Sequence, residues 1–411
     1  MAERPGADAA GTVHAAVPSR RRVLGALGGG LVVGSALGAG GTSLLTDERG
    51  PERSGSSSSP ADGGTVPLSG AHQSGVHLPA TPQPHGVVMV GDLTLFDGPP
   101  ADHVANLSAV LTATQRVIET VRRDPGVCPD GSADLTITVG LGPRPVSAVS
   151  PRLPGAEPLP EFARDDTVRD SDRGGDLLLA VNADDPGVVA RAVIRLGQDV
   201  PGLRPRWQQR GFRGAGTGTI ARNPLGHLDG VIVPRGDREL AENVWIGDGP
   251  AKGGTICVIR RLRLDVAAFS ALTGGEQDRT IGRRRSDGTP LSGGSPHAQV
   301  DLTAKTPDGQ YRVPLRSHAR AAHPSFTGSA LMLRRGYMFD NGPIDGGEDV
   351  GLMFICFQRD LDTFVKTQQR LDEQDDLMDY VTPTASASFL ILPGFSADRP
   401  LGSSLLASAS A

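Results

Sequence analysis

Strand-like and helix-like patterns alternate along most of this chain, and that alternation limits its possible folds more than any other feature. Gly86–Val90 is a short apolar run, and His103–Arg123 then places apolar side chains at helical spacing. Leu135–Val139 alternates apolar residues with threonine, as a half-buried strand should. Asp176–Val181 reads as another strand, and Asp185–Leu196 as an amphipathic helix opened by Asp184-Asp185-Pro186-Gly187. The second half repeats the theme. Thr255–Leu264 is a strand, and Asp265 can cap a short helix through Leu272. Ala330–Met338 and Leu352–Phe357 read as strands, Leu361–Leu371 as a helix and Phe389–Leu392 as a closing strand. Two β-α-β-type halves with antiparallel sheets give an α+β fold. Between Gly274 and Leu315 no period emerges, and so long an irregular stretch in a compact domain is usually functional or disordered.

The ends of the chain read differently. Ser19-Arg20-Arg21-Arg22-Val23-Leu24 fits a twin-arginine export signal, followed by an uncharged, glycine-rich apolar run to Gly41. Its many glycines argue against a stable membrane span, so cleavage near Ala36–Ala39 and delivery to the cell envelope or exterior are expected. From Thr42 the chain is mostly Ser, Gly, Pro and charge, which cannot bury enough apolar surface to offset its ordering entropy. The expected organisation is a signal over residues 1–41, a flexible linker over 42–69, subdomains over 70–225 and 226–400, and a tail over 401–411 that frays from Ala407. A net charge of −5 and a pI near 6.0 give no general attraction to nucleic acid, so the runs Arg204–Arg213 and Arg283–Arg285 read as solvated surface. The three cysteines have no metal-ligand spacing, and Cys257 and Cys356 read as small core residues without a disulfide.

The chemistry concentrates in three places. Gly226-His227-Leu228-Asp229-Gly230 sets one carboxylate between flexible backbone positions; His318 and the pair Arg334-Arg335 follow much later. An imidazole for iron, a carboxylate to shuttle protons and an arginine to stabilise charge are what a haem peroxidase requires. Around them stand Gly70-Ala71-His72-Gln73-Ser74-Gly75, Arg222-Asn223, Gly253-Gly254-Thr255 and Thr280-Ile281-Gly282-Arg283. Ser317-His318-Ala319-Arg320, Leu331-Met332-Leu333-Arg334-Arg335-Gly336-Tyr337 and Gly351-Leu352-Met353-Phe354 follow in order. From about Gly70 to Gly394 this set resembles the dye-decolourising peroxidase family, in its twin-arginine-exported, deferrochelatase-type branch.

The resemblance implies two ferredoxin-like subdomains of the dimeric α+β barrel type, with haem b held mainly by the C-terminal half. It implies His318 as the iron ligand, Asp229 as the distal acid–base and Arg334 as the distal arginine, which also borders the cofactor. Burial should raise the Asp229 pKa and Arg334 should lower it, which leaves the net sign open. Arg335, one residue along a strand, should point to the opposite face. Where some relatives carry Asn two residues after that arginine, this chain has Gly336. Arg283 is a candidate haem-propionate partner, equally readable as a residue of an exposed basic loop; Phe354 is a candidate pocket wall, and Asp379 a candidate acid behind His318. The partners implied are hydrogen peroxide, phenolic or dye-type reductants, the twin-arginine translocation machinery and a second copy in a homo-oligomer. Dye oxidation is expected to run faster in acid than at neutral pH. Release of iron from haem by a deferrochelatase, and haem carriage by a secreted binding protein, are the alternative functions. Three Tyr and two Trp limit the side chains able to carry an oxidising equivalent outward to Trp207, Trp245, Tyr311, Tyr337 and Tyr380.

Overall fold

The structure is a computed structural model that describes residues 66–68 and 70–410. The export signal and most of the expected linker lie outside the described residues. Val66, inside the span read as linker, is already buried.

Chain order begins with β1 (His85–Leu93), α1 (His103–Arg123), β2 (Thr136–Leu141), α2 (Pro143–Val149), β3 (Leu177–Ala183), α3 (Pro186–Asp199) and β4 (Leu203–Phe212). A small sheet of β5 (Gly216–Thr217), β6 (Ile220–Arg222) and β7 (Leu228–Asp229), then α4 (Gly236–Asn243), leads to β8 (Thr255–Leu264). There follow α5 (Val266–Ala271), α6 (Gly274–Ile281), α7 (His318–Ala321), α8 (Pro324–Thr327), β9 (Leu333–Arg334), β10 (Tyr337–Ile344), β11 (Gly347–Gln358), α9 (Leu361–Gln374), β12 (Val381–Ile391) and α10 (Ser403–Ala407).

The first half orders its strands β4-β1-β3-β2 and the second β10-β11-β8-β12, all antiparallel. Each is the fourth-first-third-second order of a ferredoxin-like unit. The two sheets join edge to edge through β2–β12 and β4–β10, closing an eight-stranded barrel. Closure removes the exposed strand edges that each half alone would present.

Period-2 alternation divides the central strands between two cores. Val88 and Val90, Leu178 and Ala180, Cys257 and Ile259, and Phe389 fill the barrel. Their neighbours Val87, Met89, Leu177 and Leu179 face outward beneath α1 and α3. Both faces are buried, which is why these strands read as near-continuous apolar runs.

The caps work as the sequence suggests: Asp185 accepts from the Val188 N–H and Asp265 from the Ala268 N–H, each at 2.8 Å. Three expectations need correction. The arginine-rich run 204–213 lies on β4 and the residue after it: Arg204, Gln208 and Arg210 are exposed, whereas Gln209 is buried and Arg206 half-buried, and the backbone pairs with β1. Residues 274–281 form a helix opened by a reciprocal Thr273–Glu276 capping box, so the irregular stretch starts after Ile281. Residues 403–407 form α10 and Leu405 is fully buried, so the tail expected over 401–411 is packed as far as Leu405, ahead of the stretch expected to fray. The expected strand Ala330–Met338 survives as β9 and β10, which keep one register against β11, Arg334↔Cys356 and Tyr337↔Met353, across the break at Arg335-Gly336.

Candidate functional site

The site lies on the outer face of the second half's sheet. There Leu262 and Leu264 of β8, Leu352 and Phe354 of β11, and Leu371 of α9 line an open cavity of about 230 Å³. Asp229, Arg283, His318, Arg334 and Phe354 all line it. The structure thus brings all five expected residues to one space, although Asp229 precedes Arg334 and Phe354 by more than a hundred residues.

Asp229 is held by local backbone geometry. Gly226 (φ 81°) and Gly230 (φ 74°) both adopt the left-handed conformation. A Cβ on Gly230 would stand 2.1 Å from the Thr219 carbonyl oxygen, so only glycine fits there. Between them β7 pairs Asp229 with Ala221 of β6. The Gly230 N–H donates to Asp229 Oδ1 at 2.6 Å, and Arg334 Nε lies 3.4 Å from the same oxygen. Burial pushes the Asp229 pKa up, but the charge of Arg334, the Gly230 N–H, and the charges of His318 and Arg213 outweigh it. The net shift is downward, which settles the sign the sequence left open.

Arg334 and Arg335 divide as strand alternation requires. Arg334 faces the cavity and donates to the Ile232 carbonyl at 3.0 Å. Arg335 is buried on the other face and donates to the Pro79 carbonyl at 2.8 Å. A second, water-sized space of about 20 Å³ adjoins the pair, lined by Arg213, Asp229, Arg334 and Gly336. A Cβ at Gly336 would meet the Met353 carbonyl oxygen of β11 at 3.1 Å.

His318 begins α7. Its Nδ1 lies 2.6 Å from Asp375 Oδ2, at the C-terminal end of α9, and the Asp375 side chain is fully buried. Asp375 Oδ1 also accepts from the Leu377 N–H at 2.9 Å, which fixes the carboxylate. The acid behind His318 is therefore Asp375, not Asp379. Asp379 is 68% exposed and pairs with Arg164 at 2.8 Å, because the 3₁₀ turn at 376–380 carries it away from α7. Burial favours neutral His318, but the charge and hydrogen bond of Asp375 prevail and raise its pKa. A carboxylate on Nδ1–H leaves Nε2 with its lone pair free.

Arg283 is buried and donates to the carbonyls of Gly288, Pro296 and Ala298. That excludes the exposed-loop reading. Burial, with the charge of Arg334, lowers its pKa to about 10. Phe354 forms wall and core at once, tilted against Phe364 with ring centres 6.0 Å apart.

Sequence reasoning missed Asp375, hidden in the acidic run Asp372–Asp376, and Arg260. Arg260 lines the cavity from β8 and pairs with Asp165 of the first half. It also passed over His227, whose buried ring nitrogens have no hydrogen-bond partner among the described residues and whose pKa falls to about 4 through desolvation.

The donor set fits a flat metallomacrocycle bearing carboxylates. Among the described residues no cluster of three His, Cys, Asp or Glu could cage a metal ion, whereas an iron already held in a porphyrin needs one imidazole. The walls are largely apolar, and among the described residues Asp229 is the cavity's one carboxylate and Arg283 has only carbonyl partners, which leaves its charge for an anionic group.

Residues 80–213 match the family description Dyp-type peroxidase, N-terminal, and residues 220–396 match Dyp-type peroxidase, C-terminal. A dye-decolorizing peroxidase of Thermobifida fusca is 35% identical over 295 residues, covering 67% of this chain and 68% of that protein. A deferrochelatase of Yersinia pestis is 31% identical, with 96% of both chains covered. Among solved structures, a DyP-type peroxidase from Cellulomonas bogoriensis superposes with a TM-score of 0.74 at 34% identity, covering 83% of this chain and 98% of that one. DtpA from Streptomyces lividans, as an oxyferrous complex, gives 0.74 at 31% identity, covering 82% and 96%.

Proposed function

The chain belongs to the Dyp-type peroxidase family, and on that footing we propose that it uses hydrogen peroxide to oxidise phenols and bulky dye-type reductants, with Asp229, Arg334 and His318 carrying the chemistry. The observation that supports the assignment is that two charge-linked pairs, Asp229–Arg334 and His318–Asp375, open onto one apolar cavity. Haem b, when bound there, supplies the redox chemistry, taking oxidising equivalents from peroxide and passing them to reductants one electron at a time.

Each residue then has a defined task. His318 would hold the iron of the cofactor through its imidazole, and Asp375, on Nδ1, would make that imidazole a stronger donor. Asp229, kept ionised by its neighbours, takes the proton of bound peroxide and returns it to the departing oxygen. The Arg334 guanidinium favours negative charge on that oxygen and keeps Asp229 in place. Arg283, on the cavity wall, would pair with a carboxylate of the cofactor.

Mixing the haem-loaded protein with one equivalent of hydrogen peroxide and following the Soret band tests this reading. Asp229→Ala should slow the spectral change about 10²- to 10⁴-fold and Arg334→Leu about 10²- to 10³-fold, with haem retained. If both variants react at the parental rate, the distal assignment is wrong. Release of free iron with intact protoporphyrin would instead support a deferrochelatase, the activity named for the Yersinia relative.

We further propose export in the folded state by the twin-arginine route, supported by Ser19–Leu24 and the apolar run to Gly41. Replacing Arg20 and Arg21 together by Lys should hold the protein in the cytoplasm; unchanged export would remove this proposal.

A further inference from the structure

Beside the Asp229–Arg334 pair stands a third cation to which the proposed chemistry gives no task. Arg213 follows β4 and lines the water-sized space together with Asp229, Arg334 and Gly336. One arm of its guanidinium, Nη1, donates to the Gly336 carbonyl at 2.5 Å; the other, Nη2, donates to the Thr219 carbonyl at 2.9 Å. Each carbonyl belongs to a segment that carries one distal residue. The Thr219 hydroxyl donates to the Gly230 carbonyl at 2.9 Å, and the Gly230 N–H in turn holds Asp229. Gly336 lies in the break between β9 and β10, directly after Arg334 and Arg335.

Two features separate Arg213 from an ordinary loop fastener. Its fork bridges the two segments rather than closing one of them, since Gly336 is 123 residues further along the chain. Its charge is also uncompensated. Asp229 makes its ion pair with Arg334, and among the described residues Arg213 has only carbonyl partners and the Tyr337 ring, 5.9 Å away. Burial lowers the Arg213 pKa, against the charges of Tyr337 and Asp229. The charged groups that act on Asp229 are thus Arg334 on β9, His318 on α7 and Arg213 after β4.

We propose that Arg213 is a positioning residue for the distal pair: its two-armed contact fixes the Asp229 and Arg334 segments relative to each other, and its charge faces the Asp229 carboxylate across the water-sized space. Arginine suits both parts, because a planar fork offers two fixed donors where lysine offers one compact charge. The inference deepens the peroxidase reading by adding a residue to the same site, and it rests on that reading for its effect on peroxide.

The test is the rate at which cyanide binds the ferric, haem-loaded protein, followed at the Soret band across the acid range. Hydrogen cyanide must give up its proton to bind as the anion, so the rate needs a distal base and declines as Asp229 is protonated. Arg213→Gln removes the charge, and the decline should move up by about one pH unit. Arg213→Lys keeps the charge but reaches one carbonyl, so the decline should stay in place while the plateau rate falls about tenfold. A decline at its parental pH in Arg213→Gln, with or without lost stability, would reduce Arg213 to a loop fastener and overturn the proposal. Should that variant fail to fold, Arg213→Lys decides, and a parental plateau rate there overturns it. A parent protein that binds cyanide but ignores peroxide would remove the peroxidase reading and leave the comparison of Arg213 variants standing.

Discussion

Asp229 shows how a single carboxylate acquires its role from its surroundings. Its pKa is depressed, so its base form is present above the lowered value and is lost only as pH falls through it. The rate of reaction with peroxide should therefore stay level from neutral pH to about pH 5 and decline only below the ordinary carboxylate range. Arg334→Leu removes the largest downward influence, so the decline should move to higher pH in that variant; pH–rate profiles measured by rapid mixing check both. A base that survives into acid is also compatible with dye oxidation that runs faster in acid. Glycine matters at the same scale. Gly230→Ala sets a Cβ against a carbonyl at 2.1 Å and strains a left-handed residue, so a loss of about 1–3 kcal/mol is expected by urea denaturation. Gly226→Ala should cost less, because the atom it meets at 2.7 Å belongs to the movable Arg285 side chain. Asp375→Asn leaves the shape of the pocket intact but weakens the charge on Nδ1–H. The iron potential should rise, as redox titration would reveal; an unchanged potential would remove Asp375 from the ligand's support.

At the scale of elements, the sequence was readable where period and capping agree. Strand β8 and helix α1 fall at the residues their patterns mark, because each presents apolar side chains at one unbroken spacing. Strand β4 was not readable. Its side chains are mostly arginine and glutamine, and only pairing with β1 on one side and β10 at its end makes it a strand. Helix α6 was hidden within a glycine-rich stretch although Thr273 and Glu276 announce it. Thr273→Ala should cost about 1 kcal/mol and loosen the turn that leads into Arg283, as hydrogen exchange at Gln277–Ile281 would report.

At the scale of the whole molecule, the halves are joined by more than the barrel seams. Asp165 and Arg260 form an ion pair with both side chains only 2% exposed, tying a 3₁₀ turn of the first half to the strand behind the cavity. Asp165→Ala strands a buried guanidinium and should cost about 3–5 kcal/mol in urea denaturation, whereas Asp165→Leu with Arg260→Met should recover most of that loss. The alternating patterns by themselves determined the α+β class, most strands and helices, and the face that Arg335 takes, because these depend on neighbours within a few residues. The resemblance carried by the motifs picked out Asp229, His318 and Arg334 before any coordinates. Only the tertiary structure decided that Asp375 stands behind His318, that Arg283 is buried against carbonyls and that the Asp229 pKa falls. The Asp375 contact joins segments distant in the chain, the Arg283 contacts close an irregular loop whose path no period sets, and the Asp229 pKa is a balance between burial and charge; none of these leaves a signal in the order of residues.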